Sequence, residues 1–155
     1  AEEAIAKSYQ LAELGVEFIE QPLAPDKPGE DHRRVFEESV LPIIADESCQ
    51  IAQDVAACAN LFHGINVKVC KCGGLTPALA MLQEARRLGM QTMVGCMVEG
   101  SIGIGGAAQL LPLLDYVDLD GANLIANDYA TGIRVDRGRI LGYEENGTGV
   151  TRVAM

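Results

Sequence analysis

Short apolar runs alternate with amphipathic stretches along most of this chain. Five runs have the length and composition of β-strands, at residues 16–20, 42–46, 65–70, 92–98 and 116–119. Helical periodicity falls around them, at residues 1–14, 30–39, 51–60, 77–88 and 105–114. In the fourth of these helices, Thr76 is the predicted N-cap, Pro77 lies in the first turn and Gly89 ends the helix. Strands and helices that alternate at this spacing predict right-handed crossovers and a parallel sheet.

An ionisable side chain lies at or near the carboxyl end of each predicted strand. These side chains are Glu20, Asp46, Lys68, Glu99 and the pair Asp118 and Asp120. Because charged groups are costly to bury, five such ends in succession indicate a function rather than packing. In a β/α barrel, the loops at the carboxyl ends of the strands build the active site. Alternation within 65–70 puts Asn66, Lys68 and Cys70 on one face, which we expect to point into the barrel.

The predicted fold class is therefore α/β, with about five βα units, strands four to eight, of a (β/α)8-type barrel of parallel strands. A full barrel needs about 250 residues. This chain has 155 and starts inside a helical pattern with no capping residue, so we expect a C-terminal fragment. We assign residues 1–127 to the partial barrel and 128–155 to a tail of the same domain. Asp136-Arg137-Gly138, between 131–135 and 139–143, predicts a hairpin that lies over or beside the barrel mouth.

Composition narrows the classes of function. The net charge of −10 argues against nucleic-acid binding, because phosphates are bound by clustered Lys and Arg. No apolar run approaches the roughly 20 residues that a membrane-spanning helix needs, so we expect no membrane partner. The five cysteines are an odd number without a CxxC pair, which favours a reducing compartment over a disulfide framework. We therefore expect a cytoplasmic protein.

The strand-end residues have the chemistry of a metal-assisted proton transfer. Glu20 and Asp46 offer oxygen ligands that suit Mg²⁺ or Mn²⁺ better than zinc. Lys68 would be a general base if a nearby cation lowered its pKa. A dication beside a substrate carboxylate would stabilise an enediolate after proton abstraction. Taken alone, Glu20 or Asp46 would be explained more simply as a helix cap or a solvated loop acid. That explanation does not account for ionisable residues at the ends of five successive strands.

Three motifs carry a family resemblance. They are Glu20-Gln21-Pro22, Ala45-Asp46-Glu47-Ser48 and the run NVKVCKCGG from Asn66 to Gly74. In this order they resemble the fourth, fifth and sixth strand motifs of the enolase superfamily, and more narrowly of its muconate-lactonizing subgroup. The resemblance implies that Glu20 and Asp46 bind one Mg²⁺ and that Lys68 is a catalytic acid/base. Lys71 matches the second lysine of the Lys-x-x-Lys-x-Gly-Gly motif, and we expect it to be an ion-pair partner behind the groups that contact metal and substrate. We expect a similar supporting position for Glu47.

Two further segments bear on the substrate. Gly95-Cys96-Met97-Val98-Glu99 resembles the seventh-strand segment that lines the substrate pocket, which implies contacts from Cys96 and Glu99. Asp118-Leu119-Asp120-Gly121 resembles the Asp-x-Asp of dipeptide epimerases, whose carboxylates hold the ammonium group of the substrate. Residues two apart at a strand end share a face and can converge on one cation. The alternative is that Asp118 faces the mouth while Asp120 caps the following turn.

The resemblance implies Mg²⁺-dependent epimerisation, with inversion of the Cα of the C-terminal residue of an L,L-dipeptide. It also implies a homo-oligomer for the full-length protein. The third metal ligand, the Lys-x-Lys of the second strand and the N-terminal capping domain have no counterpart in this chain. Epimerisation needs an acid and a base on opposite faces of the carbon. We therefore expect weak metal binding and no turnover from the chain alone.

Three alternatives remain open. A cycloisomerase or o-succinylbenzoate synthase-like enzyme would share the metal and lysine motifs, so the Asp-x-Asp is what discriminates. The run from Gly103 to Ala108 has the G-x-G-x-x-A spacing of an NAD-binding oxidoreductase, which would leave Glu20, Asp46 and Lys68 unexplained. An inactive barrel fragment would expose two unpaired sheet edges and would tend to associate.

Overall fold

Five parallel strands form one sheet that curls into a half-barrel, in a computed structural model that describes residues 1–142 and 146–153. The strands are β1 Ile19–Glu20, β2 Ile43–Ala45, β3 Gly64–Lys68, β4 Gln91–Gly95 and β5 Tyr116–Asp118. They lie side by side in chain order, each parallel to the next. This confirms the predicted fold class.

The helices pack on one face of the sheet and enclose the hydrophobic core. They are α1 Glu2–Glu13, α2 Gly29–Glu38, α3 Asp54–Cys58, α4 Val69–Cys72, α5 Leu75–Arg87 and α6 Ser101–Ala108. In α5 the buried positions Ala78, Met81, Leu82 and Ala85 recur at helical spacing and pack against β3 and β4. Strand residues of alternate parity, such as Ile65 and Val67, are fully buried in the same core. The opposite parity is left to face the barrel interior.

Several element boundaries differ from the predicted ones. β3 ends at Lys68 because residues 69–72 turn into α4, so Cys70 is exposed on a helix and not on the inward face. β4 ends at Gly95, so Glu99 lies in the following loop and not at a strand end. The N-cap of α5 is Gly74 rather than Thr76, and Pro77 still falls in the first turn. Gly89 follows this helix with φ +75, as predicted.

Helix α6 shows why some element boundaries were predicted incorrectly from the local sequence. It spans Ser101–Ala108 rather than 105–114, and a short 3-10 turn follows at Leu111–Leu113. The N–H of Ser101 donates to the Asp128 carboxylate at 2.6 Å, so the cap comes from 27 residues further along the chain. A start set by so distant a residue leaves no signal in the local pattern.

The tail forms two small antiparallel pairs beside the sheet. β6 Ala130–Thr131 pairs with β9 Thr151–Arg152, and β7 Arg134–Asp136 pairs with β8 Arg139–Leu141. Arg137 and Gly138 both have positive φ, which is the two-residue turn that the sequence predicted. The predicted second strand of the hairpin ran to Tyr143, which lies outside the described residues. β7 packs against the 3-10 turn Asp120–Leu124, so the hairpin lies beside the carboxyl end of β5.

No helix in the described part of the chain has both the length and the apolar character needed to cross a membrane.

Candidate active site

Three of the predicted site residues meet at the carboxyl ends of β1, β2 and β3. The Lys68 ammonium donates to Asp46 Oδ2 in a short hydrogen bond and lies 3.7 Å from Glu20 Oε1. Lys71, on α4, donates to the other Asp46 oxygen at 2.8 Å. Both proposed metal carboxylates therefore approach one positive charge. Lys71 thus makes an ion pair with Asp46.

Burial makes these contacts matter for proton affinity. The side chains of Asp46 and Lys68 are only 8% and 11% exposed. Burial by itself raises the pKa of Asp46, but hydrogen bonds and charges from the two lysines outweigh it, so the pKa lies below its ordinary value. Burial likewise lowers the pKa of Lys68, while Asp46, Glu20 and further acidic charge outweigh it and raise the pKa. The protein groups alone thus favour the ammonium form of Lys68, whereas a bound cation would act in the opposite direction.

Asn66 is a site residue that the sequence placed on the right face without a role. Its Nδ2 donates to Glu20 Oε1 at 2.6 Å, so it orients that carboxylate. Its Oδ1 is buried and has no hydrogen-bond partner within the described residues. Gly95 on the next strand makes room for this amide, because a Cβ there would lie 2.7 Å from Nδ2. The signal available in sequence was the inward parity of Asn66 and the glycine that ends β4.

Glu20 and Asp46 fit a divalent metal ion by their donor chemistry. Carboxylate oxygens are the ligands that Mg²⁺ prefers. The two carboxylates belong to adjacent strands and already share one cationic partner in Lys68. The buried and unpartnered Asn66 oxygen adds a further hard donor atom to the same interior. These residues would hold the ion from one side, as two of its ligands.

A second group of predicted residues converges at the carboxyl ends of β4 and β5, at the other edge of the sheet. Ligand atoms of Cys96, Asp118 and Asp120 all lie within 4.8 Å of one another. Asp120 is the first residue of a 3-10 turn whose N-cap is Leu119, and its side chain makes no hydrogen bond among the described residues. The Gly121 N–H donates to Cys96 Sγ at 3.3 Å and ties the two loops together. Burial raises the pKa of the Cys96 thiol, and the nearby carboxylates raise it further, so the thiol is neutral.

Glu99 bonds within its own loop, and Glu47 is an exposed residue next to Asp46. Glu99 accepts a hydrogen bond from the Met97 N–H in its own loop, at 3.1 Å. Gly103 leaves the space that the Glu99 carboxylate fills, since a Cβ there would lie 1.9 Å from it. Glu47 is exposed, and its charge adds to the raised pKa of Lys68 from a distance. Neither carboxylate has a salt bridge in the part of the chain that the structure describes.

The glycine-rich run does not have the geometry of a dinucleotide-binding turn. Gly103, Gly105 and Gly106 lie inside α6, whereas the preceding strand β4 already ends at Gly95. A dinucleotide site needs its glycines in the turn that joins a strand to a helix. The NAD-binding alternative therefore has no structural support here.

Sequence and structure comparisons place the chain among known proteins. Residues 1–152 match the family described as Enolase C-terminal domain-like. The L-Ala-D/L-amino acid epimerase of Flavobacterium johnsoniae is 57% identical over 150 residues, which are 97% of this chain and 44% of that protein. The hydrophobic dipeptide epimerase of Roseobacter litoralis is 41% identical over 140 residues, which are 90% of this chain and 40% of that protein.

A solved structure shows the same arrangement of strands and helices. The dipeptide epimerase of Enterococcus faecalis, complexed with Mg and the dipeptide L-Leu-L-Tyr, superposes with a TM-score of 0.88 at 30% identity. The match covers 97% of this chain and 45% of that one, so the chain spans less than half the length of its relatives. The family match over nearly every residue confirms the resemblance on which the motif assignments rested. The chain belongs to the enolase C-terminal domain-like family.

Proposed function

We propose that this chain supplies the C-terminal part of the active site of a Mg²⁺-dependent dipeptide epimerase. The observation that carries the proposal is the Lys68 ammonium between Glu20 and Asp46. Strand register aligns Lys68 with Gly95 and Gly95 with Asp118, so the lysine and the Asp-x-Asp pair lie at the same level of the sheet. Proton transfer and substrate binding can therefore act on one small molecule in the barrel mouth.

Lys68 would move the α-proton of the C-terminal residue of the substrate. Its ammonium form, which Asp46 favours, gives a proton to Cα, and its amine form takes one away. Glu20 and Asp46 would hold the metal ion beside the substrate carboxylate. Bound Mg²⁺ supplies positive charge that makes the neighbouring α-proton more acidic. The opposing acid/base and the third metal ligand would come from the part of the protein outside this chain.

Asp118 and Asp120 would bind the free ammonium group of a dipeptide. Both carboxylates are exposed, and their oxygens converge with the Cys96 sulfur. Burial and the surrounding carboxylates raise the pKa of that thiol, so it would not add its own negative charge to those of Asp118 and Asp120. The Cys96–Gly121 hydrogen bond keeps the two loops in this arrangement.

The test is α-proton exchange in D₂O, followed by NMR, on a panel of L,L-dipeptides with Mg²⁺. The sample is the full-length protein that carries this chain, with Lys68→Ala and Asp118→Asn variants. The control is Lys7→Ala, which removes an exposed lysine whose partner is Gln10 on the same helix. We expect deuterium incorporation with inversion that is lost in Lys68→Ala, is weakened in Asp118→Asn and is unchanged in Lys7→Ala.

One result would overturn the proposal. A protein that binds Mg²⁺ but exchanges the α-proton of no dipeptide is not a dipeptide epimerase. That result would favour a cycloisomerase or an o-succinylbenzoate synthase-like enzyme, which would share Lys68, Glu20 and Asp46 but would not need the Asp-x-Asp pair. Assays with the corresponding carboxylic acid substrates would then replace the dipeptide panel.

We also propose a cytoplasmic location, supported by the five cysteines, which are all free thiols. The homo-oligomeric state expected for the full-length protein stays a prediction that sedimentation or light scattering can test.

A further inference from the structure

The side chain of Gln21, which directly follows Glu20 at the end of β1, bonds to the loop that carries Asp46. Its Oε1 accepts hydrogen bonds from the backbone N–H groups of Asp46, at 2.9 Å, and Ser48, at 3.2 Å. Its Nε2 donates to Ser48 Oγ at 2.9 Å and to the carbonyl of Leu23 at 2.8 Å. A primary amide has two N–H donors and two acceptor lone pairs. All of them are used, three of the four on the loop after β2.

The backbone of Gln21 is held in an unfavourable conformation. Its φ is +38, in the left-handed region that non-glycine residues seldom adopt. The next residue is Pro22, which further restricts the residue before it to extended conformations. Such strain persists only where the surroundings impose it, and it clusters at functional sites. Here the Gln21 N–H also continues the β1–β2 ladder by donating to the Ile44 carbonyl at 2.9 Å.

These contacts fix the carboxylates relative to each other through the main chain. Glu20 immediately precedes Gln21, and the Asp46 N–H is bound by the Gln21 side chain. The Asp46 carboxylate is also held by Lys68 and Lys71, but a metal ion would compete with those ammonium groups for its oxygens. The bond from Gln21 to the Asp46 main chain leaves both carboxylate oxygens free. It therefore orients Asp46 equally well with and without a metal ion.

We propose that Gln21 is a positioning residue that presets Glu20 and Asp46 for metal binding and so determines the metal affinity of the site. The inference rests on the proposed metal-binding function of these two carboxylates. Gln21 acts through Asp46 and makes no contact with the ion. Its effect should therefore be on metal affinity, independently of turnover.

The experiment measures Mn²⁺ affinity of the full-length protein by the EPR signal of free Mn²⁺, with thermal unfolding recorded in parallel. Gln21→Met keeps the length of the side chain and removes all four hydrogen bonds. Gln21→Glu keeps the Oε1 acceptor for Asp46 and Ser48. The matched control is Gln109→Met, which changes an exposed glutamine at the C-cap of α6 whose side chain donates to the Gly105 carbonyl of that helix.

We expect Gln21→Met to weaken Mn²⁺ binding at least tenfold, Gln21→Glu to weaken it less than Gln21→Met, and Gln109→Met to stay within threefold of the parent. If Gln21→Met does not fold, Gln21→Asn replaces it, because its amide is one methylene too short to reach the Asp46 N–H. A lower melting temperature with unchanged Mn²⁺ affinity would show a merely structural role and overturn the inference. Asp46→Asn separates the two proposals: if it too binds Mn²⁺ like the parent, the metal site itself is wrong.

Discussion

Replacing Asp46 by asparagine removes the carboxylate that pairs with both Lys68 and Lys71. Asp46 and Lys68 are nearly buried, and Lys71 is 23% exposed at its side chain. Removing one partner of a buried ion pair costs about 3–5 kcal/mol, because the other charge is left uncompensated. Glu20 still lies 3.7 Å from Lys68 in the variant. Lys71, for its part, can turn toward water, so the cost should fall at the lower end of that range. We expect Asp46→Asn to lower the free energy of unfolding by about 3 kcal/mol.

Urea unfolding of the 155-residue chain, followed by far-UV circular dichroism, measures this change because the chain has no tryptophan. With an m-value of about 1–3 kcal/mol per M, the midpoint should fall by at least about 1 M. The control is Glu84→Gln, which removes a carboxylate that is 34% exposed and pairs with the largely exposed Arg87, so the midpoint should stay unchanged. An Asp46→Asn midpoint equal to or above that of the parent would refute the view that Asp46 holds the two lysines in place.

Three further predictions follow from other parts of the structure. Burial lowers the pKa of His63 below its ordinary value of 6.5, and its Nδ1 accepts a hydrogen bond from the Ile43 N–H at 3.0 Å. The unfolded chain therefore takes up a proton at His63 at higher pH than the folded chain does. The free energy of unfolding should fall as the pH drops from 6.5 through the folded-state pKa. His63→Phe should flatten that pH dependence of urea unfolding, and an unchanged slope would exclude His63 as its source. Gly121→Ala would place a Cβ 2.0 Å from the Met97 carbonyl and displace the Asp-x-Asp loop, so KM for dipeptides should rise in the full-length protein. Gly106→Ala, where the Cβ would meet nothing within 4 Å, should keep the parental KM, and equal KM values for both variants would contradict the expectation. Leu82→Ala removes a side chain that is 1% exposed in the core and should cost about 2–5 kcal/mol in urea unfolding, whereas a cost below about 1 kcal/mol would mean that the core repacks.

Much of the fold was predictable because it depends on local patterns. The alternation of apolar runs with amphipathic helices identified all five sheet strands, and parity within β3 correctly turned Lys68 inward. Boundaries were less predictable where a distant residue sets them, as Asp128 does for the start of α6. The predicted position of Glu99 at a strand end was wrong for a related reason. β4 already ends at Gly95, and this glycine makes room for the Asn66 side chain of the neighbouring strand, a contact that the local pattern does not reveal.

By itself, the sequence determined which residue types stand at the strand ends and in what order, because strand and helix periodicities can be identified along the chain. Only the tertiary structure decided how those residues act on one another. The pairing of Asp46 with both lysines, the amide bonds of Gln21 and the convergence of Cys96 with the Asp-x-Asp pair all join residues far apart in sequence. Their burial also decides the direction of each pKa shift, because desolvation and partner charges depend on distances in the folded chain.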